Sequence, residues 1–349
     1  MTPAAFAIPG DMTTLTGGYI YERRLLEGLR AAGRDVTHLA LPSGFPDPSG
    51  AETEAAAAML QAVGPDRVLI LDGFVSGAME TARLARVRAP MVAIVHHPLA
   101  LEEGLSEARR AHLYRTERDN LALVRHVIVP SPHTARTLVD RYGVPGDRIT
   151  VARPGVDPAS GPPDPVDPPL ILSVGILHPR KGHDVLIAAL EHIRALPWTC
   201  VIVGRDWDTD HARALARQAA QTGLGARLRL AGEVELPQLQ RLYRQATLFA
   251  LATRYEGYGI VFAEALRHGL PVISCRVGAV PDTVPHGTGR LVPPDDPRAF
   301  AAALQELLAT PAALRDCRLA ARLAGDGLPG WPETARLAGD VLETVARDG

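Results

Sequence analysis

Lysine is all but missing from this chain. Lys181 is the single example, and the other 36 of the 37 basic residues are arginine. That bias excludes lysine-rich tails, and it makes one ammonium conspicuous as a compact point charge with three donors, suited to a phosphate. Cysteine is scarce as well. Cys200, Cys275 and Cys317 are not spaced in pairs, and no CxxC or Cys/His pattern exists. A disulfide framework and a zinc centre are therefore not expected, and the thiols read as reduced, as in a cytosol. Long apolar runs are also lacking. None approaches the ~20 residues that a membrane-spanning helix needs, and the N-terminus shows no basic stretch followed by an apolar one. A cytoplasmic protein without a transmembrane segment is the expectation. Neither half carries an excess of charge: residues 1–150 hold 16 Arg against 17 Asp and Glu, and the formal net charge of the whole is −2. Nucleic acid is accordingly not an expected partner.

What the chain does have is a regular cadence. Its 349 residues, 46% of them hydrophobic, exceed what one core usually serves, so two domains are expected. Short apolar runs read as strands at Ala4–Ile8, Val36–Ala40, Val68–Leu71, Val92–Val95, Val127–Val129 and Ile149–Val151. Helical stretches such as Tyr19–Ala32, Glu52–Val63, Ser76–Val87 and Ser106–Val124 alternate with them. This is the β-α-β rhythm of a parallel, doubly wound sheet. It breaks at Pro154–Pro169, where seven of sixteen residues are proline, a composition that neither a helix nor a central strand accepts. It resumes with strands at Leu170–Val174, Thr199–Val203, Arg227–Leu230, Leu248–Leu251, Pro271–Ser274 and Arg290–Val292. Helices are predicted at Asp184–Leu196, His211–Thr222, Leu236–Gln245, Ile260–His268, Asp296–Leu308 and Trp331–Ala346. The fold class is α/β, with an N-terminal Rossmann-like domain over 1–160, a second over 161–330 and a C-terminal helix in 331–349 expected to pack back on the first. Ligands of such sheets sit outside the carboxyl ends of the strands, so a central cleft is expected.

Two constellations could carry chemistry. Lys181 lies in Gly175-Ile176-Leu177-His178-Pro179-Arg180-Lys181-Gly182, between a predicted strand and a predicted helix, where free helix amides also favour anions. The second is Glu256-Gly257-Tyr258-Gly259-Ile260, followed by an apolar helix that contains Glu264. Its glycines allow a ligand to approach the backbone, and its helix start favours a phosphate.

These residues resemble the retaining glycosyltransferases of family 4, which have the GT-B fold. The likeness rests on Glu256 and Glu264 at the family's Glu-x7-Glu spacing, on Lys181-Gly182, and on Gly17-Gly18 before the first helix. Pro154-Gly155-Val156-Asp157, Gly278-Ala279-Val280-Pro281-Asp282 and Gly289-Arg290-Leu291-Val292-Pro293-Pro294 resemble further family segments in the same order. The resemblance implies transfer of a sugar from a nucleotide-diphosphate donor to an acceptor that the sequence does not name, with no cofactor and no metal ligand. Lys181 would hold the diphosphate together with the amides of Gly257, Tyr258, Gly259 and Ile260. Glu264 would bind the ribose, Glu256 the donor sugar, and Gly17 and Gly18 would admit the donor to the first domain. Where the family has an arginine after the glycine, this chain has Ile176, so Arg180 is the candidate replacement.

His96 and His97 follow the predicted strand Val92–Val95. The family places a functional histidine there, and His96 fits that position better. Asp206-Trp207-Asp208 has the spacing of a metal-dependent transferase but reads as a solvated loop, and the charges of 107–119 read as a solvated helix face. A sugar-nucleotide epimerase or phosphorylase on the same scaffold, or a sensor that binds without turnover, would use the same groups.

Overall fold

The computed structural model describes residues 1–102 and 104–347. Strands β1 (Ala4–Pro9), β2 (Val36–Leu41), β3 (Val68–Leu71), β4 (Met91–Ile94), β5 (His126–Val129) and β6 (Ile149–Val151) form one sheet in the order 2-1-3-4-5-6. Strands β7 (Leu170–Val174), β8 (Thr199–Val203), β9 (Leu228–Leu230), β10 (Leu248–Leu251), β11 (Val272–Cys275) and β12 (Gly289–Val292) form a second, in the order 12-11-10-7-8-9. Every pairing is parallel; Ala4, for example, stands opposite both Val36 and Val68. Every residue of β3, β4, β7 and β10 is buried. Helices cover both faces of such sheets, which is why their strands are continuous apolar runs rather than alternating ones.

Around the first sheet lie helices α1 (Gly17–Ala31), α2 (Gly50–Gln61), α3 (Gly73–Ala78), α4 (Thr81–Leu84), α5 (Glu107–Leu123) and α6 (Pro132–Tyr142). Around the second lie α7 (His183–His192), α8 (Thr209–Gln221), α9 (Leu236–Gln245), α10 (Ile260–Arg267), α11 (Val280–Thr283), α12 (Pro297–Ala309) and α13 (Pro311–Asp326). The last helix, α14 (Trp331–Arg347), packs on α1. It buries Trp331, Ala335, Ala338, Leu342 and Val345 in one core with Tyr21, Leu25 and Leu29. Gly28 makes this possible, since a Cβ there would lie 2.8 Å from that of Ala335.

The chain divides into two compact units, one of Met1–Gly155 with the segment from Pro329 onward, the other of Val156–Leu328. The first boundary falls five residues before the expected one, for a packing reason. A Cβ on Gly155 would come within 2.2 Å of the Trp331 backbone, so the chain up to Gly155 is moulded to α14. The proline-rich stretch instead docks on unit 2, where the amides of Asp164 and Val166 donate to the carbonyls of Arg244 and Gln245 at 2.8 and 3.2 Å. Asp348 and Gly349, in the expected 331–349 segment, lie outside the described residues.

Three local expectations are corrected. The helix predicted over Ser76–Val87 is two, α3 and α4, broken at Met79, whose backbone is extended. Asn120 Nδ2 donates to the carbonyls of Ser76 and Met79 at 2.9 and 2.8 Å, taking over acceptors that a continuous helix would use. Helix α13 is an addition, because it points large residues outward. Leu319 and Leu323 are 63% and 66% exposed, whereas Cys317, Ala321 and Gly325 are buried. A Cβ on Gly325 would sit 2.1 Å from the Leu266 carbonyl, so α13 comes against the α10 backbone at a residue without a side chain. On α5, finally, Glu117 is buried rather than solvated. It accepts from the amides of Leu99 and Ala100 at 2.5 and 3.1 Å and from the Tyr142 hydroxyl at 3.1 Å. It thereby anchors the turn that follows the two histidines. Burial raises its pKa against the pull of those donors.

Candidate functional site

In unit 2 the site begins where β7 ends. Gly204 lets the loop after β8 press against Gly175, whose carbonyl would lie 1.8 Å from a Cβ there. The buried His183 fixes the same loop from beneath, with Nε2 3.2 Å from the Gly175 carbonyl. Burial lowers its pKa to about 4, so it is neutral at physiological pH and can donate from Nε2. Lys181 closes a short 3-10 turn, Pro179–Lys181, ahead of α7. Gly182 between them has φ 63°, and any Cβ would strike the Ala252 carbonyl at 1.9 Å. Only glycine meets both demands.

Arg254 ties this turn to the loop after β10. Its guanidinium takes both oxygens of Asp184 at 3.0 and 2.7 Å and Asp295 at 2.7 Å, and its amide donates to the Arg180 carbonyl at 2.8 Å. A bidentate pair of this kind holds geometry as well as charge. The clamp sets Lys181 Nζ 2.6 Å from Glu256 Oε1, with Arg180 Nη1 3.9 Å from Oε2 and the Thr253 hydroxyl 3.1 Å from Oε1. Burial alone would raise the Glu256 pKa. Lys181, Arg180 and Thr253 together outweigh it and hold the carboxyl below its usual range.

Glu256 leads directly into α10. Gly278 passes so close that a Cβ would lie 2.4 Å from the Glu256 carbonyl, which accepts from the Ala279 amide at 2.9 Å. Gly259 caps the helix in the left-handed region with φ 82°, and as a glycine it offers the first turn no side-chain cap. Tyr258 is buried with Val156 and Ala263, so its ring serves packing. Five residues into the helix, Glu264 accepts from the Tyr243 hydroxyl at 2.8 Å. The Tyr243 ring is stacked on His268 with centroids 4.8 Å apart. No cation is among the influences on Glu264, and burial raises its pKa to about 7.

In unit 1, Gly17 and Gly18 open α1, which likewise has no side-chain cap. A Cβ on Gly18 would lie 3.3 Å from His96 Cδ2, so the glycine makes room for that ring. His96 follows β4 with Tyr21 edge-on at 5.2 Å, and its Nε2 is 3.5 Å from Glu22 Oε1. Burial lowers its pKa, with Asp72 opposing. His97 turns elsewhere, to Glu102 at 3.0 Å.

The expected residues thus fall into two groups. Arg180, Lys181, Glu256 and the Gly257–Ile260 backbone lead into α10 and Glu264, whereas Gly17, Gly18 and His96 adjoin one another in unit 1. Asp208 is spent as the cap of α8, accepting from the amides of Asp210 and His211 at 3.1 and 3.0 Å. Sequence reading missed Thr253, Arg254, His183, Glu22 and Asp72. Asp72 had a signal, being a carboxylate just past the carboxyl end of a strand. Glu22 had one too, standing on the apolar face of α1 four residues after Gly18.

Two parallel, doubly wound six-stranded sheets of this order define the GT-B fold class. A family model described as glycosyltransferase family 4 matches residues 17–160, and one described as glycosyl transferases group 1 matches 168–310. The chain belongs to the family 4 glycosyltransferases. Among curated relatives, the D-inositol 3-phosphate glycosyltransferase of Xylanimonas cellulosilytica is 35% identical over 63% of this chain and 57% of its own. That of Kineococcus radiotolerans is 32% identical over 61% and 55%. The chain thus spans little more than half the length of these relatives. Among solved structures, sucrose-phosphate synthase from Thermosynechococcus elongatus superposes with a TM-score of 0.84, at 25% identity and with both chains fully covered. Anabaena HepE, solved with UDP and glucose, gives a TM-score of 0.81 at 16% identity, covering 99% of this chain and all of its own. Among the described residues no helix is long and apolar enough to cross a membrane.

Proposed function

We propose that this chain transfers a sugar from a nucleotide-diphosphate donor to an acceptor hydroxyl, with retention of anomeric configuration and without a metal ion. One observation carries the reading: Lys181 and Arg180 converge on Glu256 directly before a helix start whose cap residue, Gly259, has no side chain to offer. A diphosphate would exchange the Glu256 carboxylate for its own oxygens at Lys181 and accept from the first amides of α10. Negative charge grows on that diphosphate as the anomeric C–O bond breaks, so donors fixed beforehand stabilise the transition state most. Arg180 would supply the guanidinium that Ile176 does not. Glu264, which has an acceptor oxygen besides the one bonded by Tyr243, would take the ribose hydroxyls. His96 would touch the sugar that moves.

Retention is carried over from the family resemblance. Glu256 is assigned to hydrogen-bond the donor sugar rather than to attack it, so no covalent glycosyl-enzyme is invoked. The acceptor hydroxyl would instead attack the face that the leaving group vacates, passing its proton to the departing phosphate oxygen. One C–O bond breaks, one forms, and the products are glycoside and nucleoside diphosphate. Incubating the protein with a panel of nucleotide-sugars and D-inositol 3-phosphate, the compound in the relatives' name, and following the anomeric proton by NMR tests this. Transfer with the donor's configuration is expected. An inverted product, or an epimerised donor without transfer, would contradict the reading.

A further inference from the structure

Behind His96 lies a cluster that the proposed chemistry leaves unused. A carboxyl oxygen from each of Glu22 and Asp72 and a ring nitrogen of His96 lie within 4.8 Å of one another. Glu22 is fully buried, on α1 between Tyr21 and Leu25. Both its oxygens, and His96 Nε2, are buried atoms without a hydrogen-bond partner of good geometry. Asp72 follows β3 and caps α3, its Oδ1 accepting from the amides of Phe74 and Val75 at 2.7 and 3.3 Å. Gly73 brings that cap onto the β4 backbone, since a Cβ there would lie 3.0 Å from the Ile94 carbonyl. Thr134 holds His96 from the other side, its hydroxyl donating to the His96 carbonyl at 3.3 Å.

Two ionised carboxylates cannot share so dry a space. Burial pushes Glu22 up to about 7 and Asp72 well above its usual range. The pair therefore keeps a proton at neutral pH, and what it titrates belongs to both groups. Tyr19, whose hydroxyl donates to the Pro9 carbonyl at 2.9 Å, and Tyr21, whose hydroxyl donates to that of Ala152 at 3.0 Å, have pKa values raised by burial and, through proximity, by the carboxylates, with Asp11 adding to the effect on Tyr19. Neither tyrosine neutralises the pair.

We propose that Glu22 and Asp72 are positioning residues for His96: they share one proton and one negative charge, and Glu22 holds the His96 proton on Nε2. The separation of 3.5 Å is long for that bond, as is common before substrate tightens a site. The side chain of His96 is 23% exposed although Nε2 is buried, so the accessible edge belongs to the rest of the ring. Nδ1 is then a bare acceptor, and His96 receives a hydrogen bond from a sugar hydroxyl rather than donating one. This rests on the reading of His96 as a sugar contact.

Nitrogen-15 histidine labelling of the full chain, with His96 assigned through a His96→Gln variant, tests it without reliance on activity. Wild type should show a single Nε2–H tautomer at neutral pH. Glu22→Gln should give mixed tautomers and lower kcat by roughly 10- to 100-fold with little change in donor KM. Asp72→Asn keeps an acceptor for the α3 cap and offers an amide proton to Glu22, so it should retain the Nε2–H form. An Nδ1–H tautomer in the wild type, or an unchanged tautomer in a folded Glu22→Gln variant, overturns the inference. So does stoichiometric zinc or manganese binding that Glu22→Gln abolishes, which would make the cluster a cation site. The predicted tautomers with full activity in Glu22→Gln and His96→Gln would support the pairing and sink the sugar contact instead.

Discussion

Lys181 and Glu256 stand 2.6 Å apart, so an arriving phosphate must draw the ammonium from a carboxylate that already satisfies it. Lys181→Ala should lower kcat/KM by about 10- to 150-fold, the worth of one charge-assisted contact of roughly 1.5–3 kcal/mol. Steady-state kinetics on a variant shown to be folded measures this, and a change below twofold would remove Lys181 from the phosphate. Glu256→Ala should act mainly on kcat, because its sugar contact strengthens as the ring becomes cationic. Glu264→Ala should act mainly on donor KM, because a ribose contact changes little during reaction. Glu264 also predicts a pH effect. Its folded pKa, raised to about 7 by burial, exceeds the ~4.3 of an unfolded glutamate. The native state therefore binds more protons, and stability falls as pH rises from about 4.3 to about 7. In the ligand-free protein, Glu264→Gln should flatten that slope and melt higher than wild type at pH 8. An unchanged slope would mean that Glu264 is not the group responsible.

At the scale of elements, the strands were legible and some helices were not, for reasons that individual residues show. Parallel strands buried on both faces are continuous apolar runs, so β3, β7, β8 and β10 lie at the residues the sequence indicates, as does the edge strand β6. Helix α13 escaped because its buried stripe is Cys317, Ala321 and Gly325 while its leucines face solvent. No apolar periodicity marks a helix that packs through what it lacks. Leu323→Ala should accordingly shift stability by less than about 0.5 kcal/mol, whereas any side chain at Gly325 should be strongly destabilising in a denaturant titration. The site was legible where its residues are chemically unusual, as with one lysine among arginines. It was illegible where ordinary residues are made important by burial, as with Arg254 and Asp184, Glu117 and Tyr142, and Glu22 and Asp72. Gly182→Ala is the sharpest element-level test, because it meets both the left-handed backbone and the Ala252 carbonyl. It should displace Lys181 and cost activity even if the protein still folds.

Over the whole molecule, each unit brings its chemistry to the carboxyl ends of its strands: Asp72 and His96 in the first, the Gly175–Lys181 turn and Glu256 in the second. The C-terminal helix completes the first core, and Trp331→Ala should cost about 3–5 kcal/mol by chemical denaturation, as large core truncations do. Turnover should survive EDTA, since Lys181, Arg180 and the α10 amides are assigned the work of a divalent cation. Loss of activity with restoration by magnesium or manganese would reopen that assignment. The central claim is that the turn at Lys181 and the start of α10 bind the diphosphate of a nucleotide. Isothermal titration of UDP, ADP and GDP into wild type and Lys181→Ala tests it most directly. At least one nucleotide should bind the wild type without added metal, and the variant should bind it at least tenfold more weakly. Equal binding to both proteins, or no binding of any nucleoside diphosphate to the wild type, would contradict the account.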